Sequence, residues 1–313
     1  MADTNTRNDS IKGRNRKYIS FERKRTIAGI LFLIPTLILC GMFVVWPLIT
    51  VIKYSFHSWN GLSATMDFVG LDNYKALPST EGFFDMAKAT TIYAFGTTTL
   101  IVIIGFIAAL ALDKKGRYRV NRGFMRALWF FPCLLSGAVV GIIWRIMYTY
   151  SNGVINTVLK SMDLTPVNWL ETHGVTMIAI IVATVWSQVG MCIIIFMAGL
   201  QSIPGELYEA AAIDGANTGQ RTRLITIPMM APSITINVLT TSIMAFKMYE
   251  LPFTISRGLP GYSTRLLTQR IYFYGFTAMD YGIGSALSVL LIVIITVISL
   301  IQLVILRKRE DIY

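Results

Sequence analysis

Charge is what this chain has least of. Only 14% of its 313 residues are Asp, Glu, Lys or Arg, where a soluble domain carries roughly a quarter. It holds 3 cysteines and 2 histidines. Cys40, Cys133 and Cys192 all fall inside apolar runs, where a thiol behaves as a small hydrophobe, and no Cys pair has metal spacing. His57 and His173 lie outside those runs. No metal site is expected. No G-x-x-x-x-G-K-[ST] occurs, so the chain does not hold ATP in a P-loop. HExxH and GxSxG are also missing, which leaves no catalytic constellation. Acids are scarce inside the apolar runs: Glu250 alone lies in one. A proton-coupled transporter places acids or histidines deep in its helices, so this scarcity weakens that class.

What is present is apolar length. Hydrophobic residues make up 54% of the chain and its mean hydropathy is +0.58. A helix crosses the hydrocarbon core with about 20 apolar residues. Six runs meet that length, near 27–51, 90–112, 128–150, 175–200, 229–253 and 281–306. The first is too long for a signal-peptide core and no small-x-small site follows it, so it reads as a retained anchor. The fold class expected is an all-α polytopic membrane protein with six transmembrane helices.

The net charge of +11 is concentrated in a tail and short loops, where it orients helices rather than binding nucleic acid. Alternate connecting regions carry 19 Lys and Arg on one side and 7 on the other, with Arg145 and Lys247 inside spans. The positive-inside rule then puts both termini in the cytoplasm. Residues 1–26 form a basic cytoplasmic tail. Residues 27–84 form the first helix and an external loop, 85–306 the working domain, and 307–313 a cytoplasmic end. There is no internal repeat.

The segment 201–228, on the positive side, is the informative loop. Pro204 suits the first position of a helix, Glu206 and Glu209 lie near its positive end, and Ala210, Ala211 and Ala212 favour it. Asp214 and Gly215 end it, and a second helical stretch over about 217–226 runs to Pro228. From residue chemistry alone, a plain structured connector and a docking surface for a partner stand level.

Glu209-Ala210-Ala211, three residues, Gly215, and then Ile225-Thr226-Ile227-Pro228 resemble the EAA loop of permease subunits of bacterial ATP-binding-cassette (ABC) importers. Asp214, Ala216 and Gln220 extend the match. Ile227 stands where leucine is usual, and Arg221-Thr222-Arg223 is more basic than usual. Ser55-Phe56, Trp59-Asn60-Gly61, Phe68 to Tyr74 and Phe246-Lys247-Met248-Tyr249-Glu250 are similar to the carbohydrate branch, in particular the maltose-type first permease. The G-G-P usual after the last stretch is degenerate here, as Gly258-Leu259-Pro260. The resemblance spans about 27–306 and implies a type I importer permease core of five helices preceded by one N-terminal helix, in the bacterial cytoplasmic membrane. It also implies partners: a second, homologous permease, two nucleotide-binding ATPase subunits that use ATP and Mg, and an extracytoplasmic solute-binding protein. The chain itself would be no enzyme and would bind no cofactor. In this picture Glu209, Ala210, Ala211, Asp214, Gly215, Ala216 and Gln220 couple to the ATPase. Closure of the ATPase pair then tilts the spans on either side of the loop.

Cargo residues are expected on those two spans. Thr184, Ser187, Gln188 and Met191 share one helical face, as do Thr241, Met244, Ala245 and Met248. The resemblance places sugar at aligned positions; the plainer reading has Thr184, Ser187 and Thr241 bonding neighbouring helices. Lys247 and Glu250, three apart on one helix, form a gate or structural pair. The resemblance implies a sugar or oligosaccharide as cargo, with glycerol-3-phosphate or another polyol derivative as the alternative. The competing class is a six-helix secondary transporter or channel with no ATPase.

Overall fold

The computed structural model describes residues 25–26, 28–113 and 122–310. The expectations for the tail, for the centre of the 113–127 loop and for the last three residues lie almost wholly outside them. The chain divides into two compact units, Met1–Tyr54 and Ser55–Tyr313. Most of what is described in the first is one helix, α1 (Ala28–Ser55). It widens into a π-turn at Gly41–Val45, where Trp46 N–H reaches back to Gly41 O. Pro47 follows at once, and a proline inside a helix deprives the carbonyl four residues earlier of its donor. The wider turn accommodates that loss.

The second unit opens with a two-stranded hairpin, β1 (His57–Ser58) against β2 (Asp67–Phe68). Then come α2 (Phe83–Asp113), α3 (Arg122–Phe130), α4 (Gly137–Met147) and α5 (Val175–Ser202). α6 (Gly205–Ile213), α7 (Thr218–Met229), α8 (Ala231–Lys247), α9 (Glu250–Ser256), α10 (Leu267–Tyr272) and α11 (Tyr281–Glu310) follow, and short helices at Asp72–Ala76 and Val154–Ser161 lie in the connecting segments.

Among the described residues, four helices are long and apolar enough to cross a membrane alone: α1, α2, α5 and α11. The spans expected near 128–150 and 229–253 are not straight. The first is α3, a 3₁₀ turn over Phe131–Leu134 and α4, bent by 100°. Pro132 ends α3, and Ser136 starts α4 by accepting from Val139 N–H. The second is α7 and α8, bent by 64°, with Pro228 and Pro232 on either side of the bend. Counting each bent pair as one span gives six.

α5 is the axis of this unit: 61% of its most apolar window is buried, against 6% for α11. A helix apolar all round belongs in such a position. α2 lies against it at close range because Gly105 carries no side chain: a Cβ there would stand 2.7 Å from Cys192 Sγ. Tyr93 and Thr184 hydroxyls meet at 3.1 Å across the pair, and Phe106 and Phe196 rings pack edge to face at 5.3 Å. α4 and α9 approach in the same way through Gly137-x-x-x-Gly141, where a Cβ on Gly141 would meet Thr254.

The connecting segments gather at two ends. At one end Tyr281 N–H donates to Trp59 O, 3.0 Å, and His173 Nδ1 lies 2.9 Å from Ser263 Oγ. Asn73 Nδ2 donates to Ser55 O and His57 O, 2.9 Å each. At the other end Tyr208 and Thr226 hydroxyls, 2.9 Å apart, tie α6 to α7.

Candidate functional site: a polar cavity and the α6–α7 loop

α6 begins one residue later than expected: Pro204 is extended and precedes the first helical residue, Gly205. The helix ends as the alanine–glycine pattern predicts. Ala216 N–H returns to Ala211 O at 2.8 Å and Gly215 N–H to Ala212 O at 3.2 Å, the paired bonds of a Schellman turn. That turn needs a left-handed residue, and Gly215 has φ +76. A Cβ there would meet nothing within 4 Å in this chain.

The next helix starts from a reciprocal capping box. Asn217 N–H donates to Gln220 Oε1 at 2.8 Å and Gln220 N–H to Asn217 Oδ1 at 2.9 Å. Arg221 Nε closes the same turn on Ala216 O at 2.8 Å. Of the seven loop residues picked from the sequence, Glu209, Ala210, Asp214, Gly215 and Gln220 are exposed, while Ala211 and Ala216 are half-buried. Gln220 serves the turn itself. Ile213 escaped the sequence reading, yet it is 87% exposed beside Asp214. Leu224 is exposed as well. Such a side chain on a solvated loop has no intrachain reason to be apolar.

Between α2, α5 and α8 lies a cavity of about 250 Å³. Seven of the eight cargo candidates line it: Thr184, Gln188, Met191, Thr241, Met244, Ala245 and Met248. Ser187 does not. It is buried, and its hydroxyl donates to Thr184 O of its own helix at 3.0 Å. Thr184 is engaged too, donating to Ile180 O and meeting Tyr93. Gln188 makes no side-chain hydrogen bond among the described residues.

The sequence reading missed the α2 wall, Thr97 and Ile101, and the residues one turn further along α8, Asn237 and Thr240. Asn237 was within reach, because it precedes Thr241 by one helical turn on the same face. The α2 wall was not, since nothing in one sequence says which spans touch.

Lys247 and Glu250 do not share a helix, which corrects the expectation that they pair. Met248 is extended at ψ 130 and ends α8, and Glu250 opens α9. Both are exposed, and the one ion pair among the described residues is Lys75–Asp72.

Residues 101–311 match the family model described as binding-protein-dependent transport system inner membrane component. The chain is 31% identical over 283 residues to the trehalose/maltose transport system permease protein MalF of Thermococcus litoralis, covering 90% of this chain and 95% of that one. It is 32% identical to a probable starch degradation products permease, AmyD, of Thermoanaerobacterium thermosulfurigenes, with 90% and 94% covered. It is 33% identical to the multiple sugar-binding transport system permease MsmF of Streptococcus mutans, with 90% and 96% covered. Among solved structures, a chain of a bacterial ABC transporter that imports the acidic polysaccharide alginate superposes with TM-score 0.80 at 21% identity, covering 94% and 99%. At that identity the likeness is one of fold.

Proposed function

Because the chain belongs to the family of binding-protein-dependent transport system inner membrane components, we propose that it is the permease subunit of an ABC importer for a sugar or oligosaccharide. The observation that carries this reading is the near full-length match to three sugar permeases at 31–33% identity. It is a transport subunit and not an enzyme. A six-helix carrier that works without an ATPase finds no support in these relatives.

In the proposed assembly a second permease completes the pathway, two ATPase subunits supply ATP hydrolysis, and a solute-binding protein delivers cargo. Both termini and the α6–α7 loop face the cytoplasm, as the charge asymmetry favours. The exposed face of α6, with Glu209, Ala210, Ile213 and Asp214, docks on an ATPase subunit. The left-handed end of α6 at Gly215 and the cap of α7 at Asn217–Gln220 keep the α6–α7 turn a rigid knob. α5 leads straight from Gln188 to α6, about 20 Å along the helix axis at 1.5 Å per residue. Movement of the docked helix therefore tilts the cavity wall, which couples two separate sites. The cavity between α2, α5 and α8 holds cargo in transit.

The test is reconstitution in proteoliposomes of this chain with its second permease, ATPase and binding protein. ATP-dependent uptake of at least one of labelled maltose, trehalose or cellobiose is expected. Uptake of glycerol-3-phosphate alone, or uptake unaffected by ATP, would overturn the reading.

A further inference from the structure

Apart from the cavity described above, α3 and α5 enclose an open slot of about 380 Å³. Its closed end is set by Gly190, where a Cβ would meet Trp129 O and stand 3.0 Å from Phe130 Cα. From that contact the two helices stand apart as far as Gln201, with Trp129, Phe130, Ile194 and Ala198 on the walls. Gly190 to Gln201 covers about 16 Å of α5 at 1.5 Å per residue. Half of a bilayer's hydrocarbon core is about 15 Å. Gln201 is the last residue but one of α5, so the slot runs from headgroup level to about mid-membrane. Arg126 lies one turn of α3 back from the closed end, about 6 Å along the helix. It is exposed, so its guanidinium is open to a ligand. It is the one charged residue on the lining, and it has no counter-charge among the described residues, whose one ion pair is Lys75–Asp72.

We infer that this slot binds one anionic phospholipid, whose acyl chain lies along Ile194 and Ala198 and whose phosphate accepts hydrogen bonds from Arg126. An apolar slot one leaflet deep with a lone cation on its open side matches an amphiphile with a negative head. A guanidinium suits phosphate because its N–H donors form a fixed fork. A headgroup that carries its own ammonium brings a like charge to Arg126, so net charge sets the preference. A partner helix, about 10 Å across, is too broad for a slot of this volume, and a soluble anion would leave the apolar walls uncovered. The leaflet is the one on the α6 side, which is the cytoplasmic one in the proposed orientation. Basic pockets between helices on that side hold anionic headgroups.

The experiment uses the assembled importer, with its second permease in place, in nanodiscs of phosphatidylcholine. A trace of phosphatidylglycerol or phosphatidylcholine carries a photoactivatable diazirine on its acyl chain, and adducts are mapped by peptide mass spectrometry. In wild type, adducts within 193–201 are expected, with phosphatidylglycerol favoured about tenfold, the scale of a hydrogen bond to a charged group. Arg126→Gln is expected to bring that preference to about unity and Arg126→Lys to keep most of it. Ala198→Phe, which fills the slot, removes the adducts of both lipids. Excess inorganic phosphate leaves the labelling unchanged. The wild-type preference carries the test where a variant does not assemble. Absence of adducts in the slot would mean that the second permease covers it. Equal labelling by the two lipids would mean solvation by lipid without recognition of the headgroup, and competition by inorganic phosphate would give Arg126 to a soluble anion. Each of these three results overturns the inference. The labelling does not depend on cargo, so its failure leaves the sugar reading standing.

Discussion

Ser187 and Gln188 are neighbours in sequence, but α5 turns them to different surroundings. Ser187 spends its hydroxyl on Thr184 O, a local bond that a helical serine makes without help. Gln188 enters the cavity with its amide unengaged among the described residues. Ser187→Ala is therefore expected to leave ATP-driven sugar uptake within about twofold, because one intrahelical bond contributes on the order of 1 kcal/mol or less. Gln188→Leu is expected to cut uptake efficiency about tenfold with the complex still assembled, on the same hydrogen-bond scale. Equal losses from the two variants would mean that neither side chain meets cargo. Face periodicity brought Thr184, Gln188 and Met191 together in the sequence, and it did the same for Thr241, Met244 and Met248. It could not separate Ser187 from them, since 3.6 residues per turn leaves each face a broad arc. Nor could it see Thr97, whose place depends on which span lies against α5.

At the scale of elements, proline marks where apolar length misled. Hydropathy alone draws 128–150 as one straight helix, whereas Pro132 and the Ser136 cap bend it by 100°. The break at Met248 and Tyr249 carries the same kind of marker, since Pro252 in the first turn of α9 leaves Met248 O without an intrahelical donor, and it moves Lys247 and Glu250 onto different helices. Their substitutions should then behave independently: Lys247→Glu combined with Glu250→Lys is expected to give the product of the single effects on uptake, with no recovery. Recovery in the double variant would show a contact made elsewhere in the transport cycle. The α6 turn was legible because its chemistry is local, from the alanines to the glycine that takes φ +76. That geometry separates strain from docking. Gly215→Ala carries a left-handed penalty of about 1–2 kcal/mol, while asparagine tolerates that conformation better. Since the space beside Gly215 is open in this chain, strain alone ranks asparagine above alanine. A close-fitting ATPase surface rejects both. Both variants are expected to lose ATPase association or coupling, with normal membrane insertion. Full coupling in Gly215→Asn would remove docking at this residue.

Across the whole molecule, the loops themselves report sidedness. The segment after α1 meets the start of α11 through Trp59 and Tyr281, and the segment before α5 meets the one before α10 through His173 and Ser263. Three odd-numbered connections thus share one end of the Ser55–Tyr313 unit, as six crossings with bent third and fifth spans require. An even number of crossings returns the chain to the side where it began, and a four-span alternative would leave these loops on opposite faces of the membrane. For the absolute sense we propose the one that charge favours, since these same regions hold 7 Lys and Arg against 19 in the others, and loops rich in them tend to stay inside. Parity was readable from the sequence, and the sign is an expectation from its charges; the clustering of the loops is a tertiary fact that no single sequence carries. Single cysteines at Ser79, Ser161 and Thr218, all exposed, test both in a background with Cys40, Cys133 and Cys192 replaced. In sealed cells an impermeant maleimide is expected to label Ser79→Cys and Ser161→Cys and to reach Thr218→Cys only after lysis. Labelling of Thr218→Cys in intact cells would put the α6–α7 knob outside, beyond reach of any cytoplasmic ATPase. Protection of Ser161→Cys with labelling of Ser79→Cys would mean that α3 and α4 form a re-entrant hairpin and not a crossing. The 100° bend makes that the sharpest alternative, and the close packing of Gly141 on Thr254 argues against it, because α4 lies beside α9, two residues beyond the far end of the α8 crossing.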